Sequence, residues 1–296
     1  MPELSVSIVC HEGRERILGC LKSVFDTADG LDIEVIVVEN ASRDGSAEAI
    51  EREYPQVRLI KNKVREGFSA NHNKALRLSR GEFVLLLNDD TIVHPGALMA
   101  MTKFMRAHRE AGAAGAMLVN PDGSVQYAGK AAPTILAAIM VSLGLHRLFP
   151  DNPVTSSYYG KNAGSSEAGL PAPREVESVN GAAMILRKSA LEEIGYLDSG
   201  FFLFCEDVDL SIRLRQSGYR LYSLPAAKVT HIRGASTGGR KIVWIYHKSL
   251  FRFYRKHYSG KNFFIVNWLV YLGIAMRLVV YMIYGSVRKK NNGRRA

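Results

Sequence analysis

The stretch Phe83-Val84-Leu85-Leu86-Leu87-Asn88-Asp89-Asp90-Thr91 constrains this chain more than any other. Five apolar residues follow one another without alternation, which suits a strand buried on both faces, as in a parallel sheet covered by helices. The run stops at two adjacent carboxylates. A strand of this kind delivers its last residues to the carboxyl edge of the sheet, where α/β folds bind ligands. Two neighbouring carboxylates repel unless a cation lies between them, and Mg²⁺ is commonly held by one or two carboxylates plus substrate phosphates. On that reading the stretch is a site for a metal-bound nucleoside diphosphate. The same residues also suit a polar turn capping the next helix, with Thr91 and Pro95 as start signals. The stretch alone leaves both open.

The flanking pattern supplies the sheet. Residues 4–10 (LSVSIVC) read as a strand, and 16–27 carry Ile17, Leu18, Leu21, Val24 and Phe25 at helical spacing. A β-branched strand at 33–38 ends in the polar turn 39–46, which leads into a helix over 47–53. A strand at 57–61 follows, then a helix opened by Gly67 and running to about 79. This alternation predicts an α/β fold with a mostly parallel, Rossmann-like central sheet and right-handed crossovers. Beyond it the sequence predicts a helix at 95–109, a strand at 115–120, an apolar stretch at 131–149 and a long surface loop at 151–174. Residues 176–186 read as a strand with Asn180-Gly181 inside it, and a strand glycine suggests close approach of a ligand or another backbone. A short helix at 188–194, a helix at 210–217 and short strands at 220–224 and 228–231 complete this part.

A second acidic cluster, Glu206, Asp207 and Asp209, follows an aromatic run and opens a helix. Acidic residues are stabilised at helix N-termini, yet three in four positions exceed what a helix start requires. Phe201, Phe202 and Phe204 can shield them, and a shielded carboxylate can serve as a general base. His231 ends an apolar strand before the Gly-rich, basic stretch 234–240, which suits a contact to metal or phosphate.

Net charge is +11 over 296 residues, which favours anionic partners: nucleotide phosphates, nucleic acid or an anionic membrane. The acidic clusters and an apolar tail argue for no nucleic acid. The three cysteines, Cys10, Cys20 and Cys205, have no metal-type spacing and read as reduced thiols. The N-terminus leads straight into a strand, with no secretory pattern expected.

In this order the segments resemble a family. They are Ser7-Ile8-Val9 with Cys20-Leu21-Lys22-Ser23; Val37-Val38-Glu39-Asn40-Ala41-Ser42 with Asp44-Gly45-Ser46; Gly67-Phe68-Ser69-Ala70-Asn71-His72-Asn73; Leu86 to Thr91; Asn180-Gly181-Ala182 with Arg187; Phe201-Phe202 with Glu206-Asp207-Val208-Asp209; and His231 with Gly234 and Ser236. Together they resemble family-2 glycosyltransferases of the GT-A fold, especially rhamnosyltransferase-like enzymes of bacterial cell-surface polysaccharides. The resemblance implies inverting transfer from a nucleotide-diphosphate sugar, with Mg²⁺ or Mn²⁺ as cofactor. It implies Asp207 as general base, Asp90 and His231 at the metal, and Glu39, Asn71, Asn73, Asp89, Gly181 and Glu206 around the nucleotide sugar. Glu39 stands where the family usually has Asp, and the loop His11-Glu12-Gly13-Arg14 departs from the usual pattern. The GT-A domain is expected over 1–240, with a nucleotide-sugar half to about 120 and an acceptor half after it.

Residues 263–284 are apolar all round, interrupted by Asn267 and Arg277, and basic residues flank them on both sides. Arg252, Arg255, Lys256 and Lys261 precede the stretch, and no Asp or Glu occurs from Arg240 onward. The length allows a transmembrane helix, but the two-sided positive charge favours a re-entrant or interfacial element on the cytoplasmic face of the membrane. A region 241–296 attached in this way would meet a lipid-linked acceptor. The alternative is a core or dimerisation helix, making the chain a homodimer. Two other functions fit less well. A non-catalytic binding module need not keep Asp89, Asp90 and Asp207. A sugar nucleotidyltransferase should carry a Gly-rich loop after its first strand.

Overall fold

The computed structural model describes residues 1–28, 30–126, 129–130, 152, 172–232 and 239–292. The apolar stretch 131–149, nearly all of the loop 151–174 and the positions Gly234 and Ser236 lie outside the described residues. The strands are β1 (Leu4–Cys10), β2 (Ile33–Glu39), β3 (Arg58–Lys61), β4 (Phe83–Asn88), β5 (Thr91–Val93), β6 (Ala111–Val119), β7 (Val125–Gln126), β8 (Gly129–Lys130), β9 (Arg174–Glu175), β10 (Ser178–Val179), β11 (Ala183–Arg187) and β12 (Arg220–His231). The helices are α1 (Arg14–Asp26), α2 (Ser46–Glu53), α3 (Phe68–Leu78), α4 (Ala97–Ala107), α5 (Lys188–Ile194), α6 (Glu206–Gln216), α7 (Arg240–His257) and α8 (Phe264–Asn292).

The main sheet runs β3-β2-β1-β4-β11-β6-β12-β5. Strands β1 to β4 are parallel, as their alternation with helices requires. Strand β11 enters antiparallel between β4 and β6, and β6 and β12 are again parallel to each other. The ends of β1, β2, β3, β4, β6 and β12 therefore share one edge with the start of β11.

The unbroken apolar run of β4 follows from burial on both faces. Phe83, Leu85 and Leu87 join the core that includes Ile17 and Leu21 of α1 and Met101 of α4. Val84 and Leu86 join the opposite core with Leu191 of α5 and Leu210 and Leu214 of α6. Each such side chain contributes roughly 1.5–3 kcal/mol on burial. Polar positions on β1 are paired: Ser5 Oγ donates to Glu34 Oε1 at 2.6 Å, and Ser7 Oγ meets His72 Nδ1 at 2.8 Å.

Several local expectations change. Asn88-Asp89-Asp90 does not cap a helix; it turns β4 into β5, with Thr91 Oγ1 donating to Asn88 O at 2.7 Å, and α4 begins only after Gly96. The strand expected at 176–186 splits at Asn180-Gly181, where Asn180 Oδ1 accepts from Ala182 N at 2.9 Å. The short strands expected at 220–224 and 228–231 are one strand, irregular between Leu224 and Lys228, where Pro225 has no N–H to offer. Helix α6 starts at Glu206, so the acidic cluster forms its first turn.

Asn267 and Arg277 do not interrupt α8. Asn267 accepts from Tyr254 Oη at 2.8 Å and donates to Ser259 O at 2.9 Å, and the Arg277 guanidinium lies 5.4 Å from the Tyr246 ring centroid. Both polar side chains thus meet the α7 side. Phe251 and Tyr271 rings pack at 4.6 Å between the same helices. Between 264 and 283 the face of α8 turned away from α7 carries exposed apolar side chains, with Phe264 at 79% and Trp268 at 63%. Among the described residues, Phe264–Ile283 is the one helix segment long and apolar enough to cross a membrane. Arg252 and Lys256, expected as basic flanks, turn inward onto Asp198.

Candidate active site

The acidic turn is built at the shared edge of the sheet. His231 pairs with Thr91 across β12 and β5, which brings its Nε2 to 3.4 Å from Asp90 Oδ1 and 3.4 Å from Asn88 Nδ2. The imidazole is oriented from behind, with Nδ1 3.1 Å from Gln126 Oε1, while Gln126 Nε2 donates to His231 O at 2.7 Å. Asp90 is buried. Asp89 faces Arg16 of α1 at 3.6 Å. Burial pushes the Asp89 carboxyl up to about 7, against the pull of Arg16 and with the charge of Asp90 adding to the rise.

Among the described residues no three His, Cys, Asp or Glu side chains gather as a self-sufficient metal site. Asp90 and His231 do adjoin, and the buried Asn88 Oδ1 beside them has no hydrogen-bond partner. An oxygen and imidazole set of this size fits a cation that completes its shell with water and phosphate oxygens. Cys20 lies beneath, its Sγ 3.5 Å from Asn88 O and 3.6 Å from Thr91 Oγ1. Burial pushes that thiol up to about 12, so it stays protonated.

Further along the edge, β2 ends in the buried Glu39, whose Oε1 accepts from Ser42 N at 2.5 Å. Asn62 knits this corner. Its N–H donates to Glu39 O at 2.9 Å, its amide to Asn40 Oδ1 at 3.0 Å and Asn71 Oδ1 at 2.6 Å, and its Oδ1 accepts from Lys74 at 2.7 Å. Asn71 therefore joins the Glu39 corner. Asn73 does not: its amide exchanges hydrogen bonds with Leu197 N and O and tethers α3 to the loop before α6. The loop His11 to Arg14 is tied to the turn after β2 through Glu12 N to Ser42 Oγ at 3.1 Å and Arg14 N to Asp44 Oδ2 at 2.8 Å.

The second acidic cluster divides its labour. Asp209 is fully buried and holds Arg213, Lys256 and His257 at 2.9, 2.7 and 2.7 Å. Burial alone would raise its carboxyl, but hydrogen bonds from His257 and Lys256 outweigh that and lower it. Glu206 is buried with Oε2 unpartnered. Burial, and then the charge of Asp207, push its carboxyl well above the usual range. Asp207 is the half-exposed member. Its Oδ2 accepts from Gly181 N at 3.3 Å. The next residue, Ala182, accepts from Asn88 N at 3.0 Å. Asp207 is thus two residues of backbone away from the acidic turn. Phe204 and Cys205, just before it, both adopt left-handed φ of 72° and 68°, costing about 1–3 kcal/mol each.

Sequence reasoning missed Arg16, Gln126 and Asn62. Arg16 had a signal, since a basic residue in the first turn after β1 must lie near the sheet's carboxyl edge. Gln126 and Asn62 had none beyond their position after a strand.

The mixed sheet, with an acidic turn and a second carboxylate cluster at its carboxyl edge, has the architecture of the GT-A fold. The glycosyl transferase family 2 model matches residues 5–168. The chain belongs to glycosyl transferase family 2. It is 28% identical to the N-acetylglucosaminyl-diphospho-decaprenol L-rhamnosyltransferase of Mycobacterium tuberculosis (strain H37Rv), over 98% of this chain and 94% of that protein. It is 26% identical to rhamnosyltransferase WbbL of Escherichia coli K12, over 67% of this chain and 74% of that protein. Among solved structures, the mannosyltransferase PcManGT from Pyrobaculum calidifontis, in complex with GDP-Man and Mn²⁺, superposes with a TM-score of 0.61 at 16% identity, covering 99% of this chain and 80% of that one. That likeness concerns the fold.

Proposed function

We propose that this glycosyltransferase moves rhamnose or a hexose from a nucleotide-diphosphate sugar to a hydroxyl of a lipid-linked glycan, with inversion, in cell-surface polysaccharide synthesis. The observation that carries this reading is the backbone link from Asp207 through Gly181-Ala182 to Asn88. It sets a half-exposed carboxylate beside a metal-type acidic turn without merging the two.

In this reading the acceptor hydroxyl loses its proton to Asp207 as its oxygen attacks the anomeric carbon, and the bond from that carbon to the diphosphate oxygen breaks. A positioned carboxylate contributes typically ~10²–10⁴-fold to such a step. Glu206, the buried neighbour of Asp207, is assigned to the nucleotide sugar. Glu39 and Asn71 hold the nucleoside, with Asp89 near the ribose and Gly181 beside the sugar, while Asn73 anchors α3 to the loop that leads to Asp207. Mg²⁺ or Mn²⁺, held by Asp90 and His231 with Asn88, would neutralise charge on the departing diphosphate.

The division into a 1–240 catalytic domain and a 241–296 attachment region belongs to the same reading. The exposed apolar face of α8, with no acidic residue after Arg240, favours the cytoplasmic face of an anionic membrane. A homodimer through that face would leave its basic flanks unbalanced. Similarity to the M. tuberculosis N-acetylglucosaminyl-diphospho-decaprenol L-rhamnosyltransferase supports a polyprenyl diphosphate-linked acceptor. The test is transfer from dTDP-rhamnose and a panel of UDP-hexoses to such an acceptor, with product configuration read by NMR. Retention, or nucleotide-sugar binding without transfer, would overturn the proposal.

A further inference from the structure

The loop that carries Asp207 to its place is gripped from two sides. On one side Phe68 N donates to Phe202 O at 2.7 Å, and Asn73 holds Leu197. The other side is α7, outside the sheet altogether. Arg252 donates to both oxygens of Asp198 at 2.8 and 3.1 Å, and Lys256 joins it at 2.8 Å. Both cations lie over the Phe201 ring, at 5.3 and 5.9 Å from its centroid. Ser249 Oγ donates to Leu203 O at 2.7 Å, and Tyr246 packs edge-on against Phe204 at 5.5 Å. Gly200 is part of the fit: a Cβ there would lie 2.0 Å from Arg252 Cζ. The loop then passes through the left-handed pair Phe204-Cys205, directly before Glu206-Asp207. Two consecutive non-glycine residues in that conformation persist only where the surroundings over-determine them.

We propose that Arg252 is a positioning residue for the catalytic carboxylate, acting with Lys256 through Asp198 and Phe201 to hold the Asp207 loop in its strained form. The inference rests on Asp207 as the base. It moves α7 from the attachment region into the catalytic unit, so that the boundary between the two falls after His257. The helix that packs on the exposed apolar α8 is also the one that sets the reacting group.

The test uses the full chain in detergent, with Arg252→Met, Arg252→Lys, Asp198→Asn, the pair Arg252→Met/Asp198→Asn, and Gly200→Ala. Donor affinity and stoichiometry are read by calorimetry, and kcat and KM from transfer. Misplacing a catalytic group by about 1 Å can cost 10²-fold. Arg252→Met, Asp198→Asn and Gly200→Ala should each lower kcat about 10- to 100-fold with donor Kd and stoichiometry unchanged. The pair should be no worse than either single variant, and Arg252→Lys should recover part of the loss. Wild-type kcat in Arg252→Met and Gly200→Ala would overturn the proposal. So would a loss that appears as reduced donor stoichiometry, which marks simple unfolding. Full activity of Asp207→Asn would instead remove the base reading on which the inference stands.

Discussion

His231 Nε2 lies 3.4 Å from Asp90 Oδ1, so the end of β12 meets the turn between β4 and β5 from far along the chain. The pairing of β5 with β12 makes the contact, and Gln126 fixes the ring from behind. Partners that orient a metal-binding histidine typically matter 10–100-fold. Gln126→Ala should therefore weaken Mn²⁺-dependent nucleoside diphosphate binding about 10- to 100-fold, and Asp90→Ala at least as much. Calorimetry with and without Mn²⁺ reads this. Metal dependence equal to wild type in Asp90→Ala would remove Asp90 from the site.

Asn62 ties Glu39, Asn40, Asn71 and Lys74 together. Removing its side chain takes the donor from the buried Asn71 Oδ1, at about 1–3 kcal/mol, while Asn40 and Lys74 keep their bonds to Glu66. Asn62→Ala should lower the urea midpoint and weaken nucleotide binding together. Stability and binding both at wild-type values would show that the network does not set this corner.

His72 is fully buried, and burial lowers its pKa to about 3. The unfolded chain, with a histidine near 6.5, then binds more protons than the folded one between pH 6.5 and 3. The stability this neutral imidazole contributes is fully present above pH 6.5 and is lost as pH falls toward 3. Urea midpoints at pH 7 and 5 should differ less in His72→Gln than in wild type. An equal difference in both would show that His72 takes up no extra proton on unfolding.

The apolar face of α8 should bind anionic vesicles, more weakly as salt rises. Trp268→Asp with Phe264→Asp should reduce sedimentation with vesicles at least tenfold, leaving transfer to a short soluble acceptor intact. Vesicle binding unchanged by both substitutions would exclude this face.

Much of the architecture was legible because β4 is apolar on both faces, and only a doubly covered strand tolerates that. The antiparallel entry of β11 was not, since Ala183-Met184-Ile185-Leu186 reads the same in either direction. Asp207 and Asp209 look equivalent in sequence. They differ because Lys256 and His257, from a helix beyond the sheet, reach only Asp209. Arg252 and Lys256 read as membrane flanks for the same reason: nothing local says that Asp198 lies beneath them. Contacts between distant elements decided what the pattern could not.

The most direct measurement is Asp207→Asn, read for donor binding by calorimetry and for sugar transfer in a single turnover. Donor affinity should stay at the wild-type value while transfer falls by at least 10²-fold. Transfer at the wild-type rate would contradict Asp207 as the base, because no other half-exposed carboxylate in the second acidic cluster could then be spared for the proton.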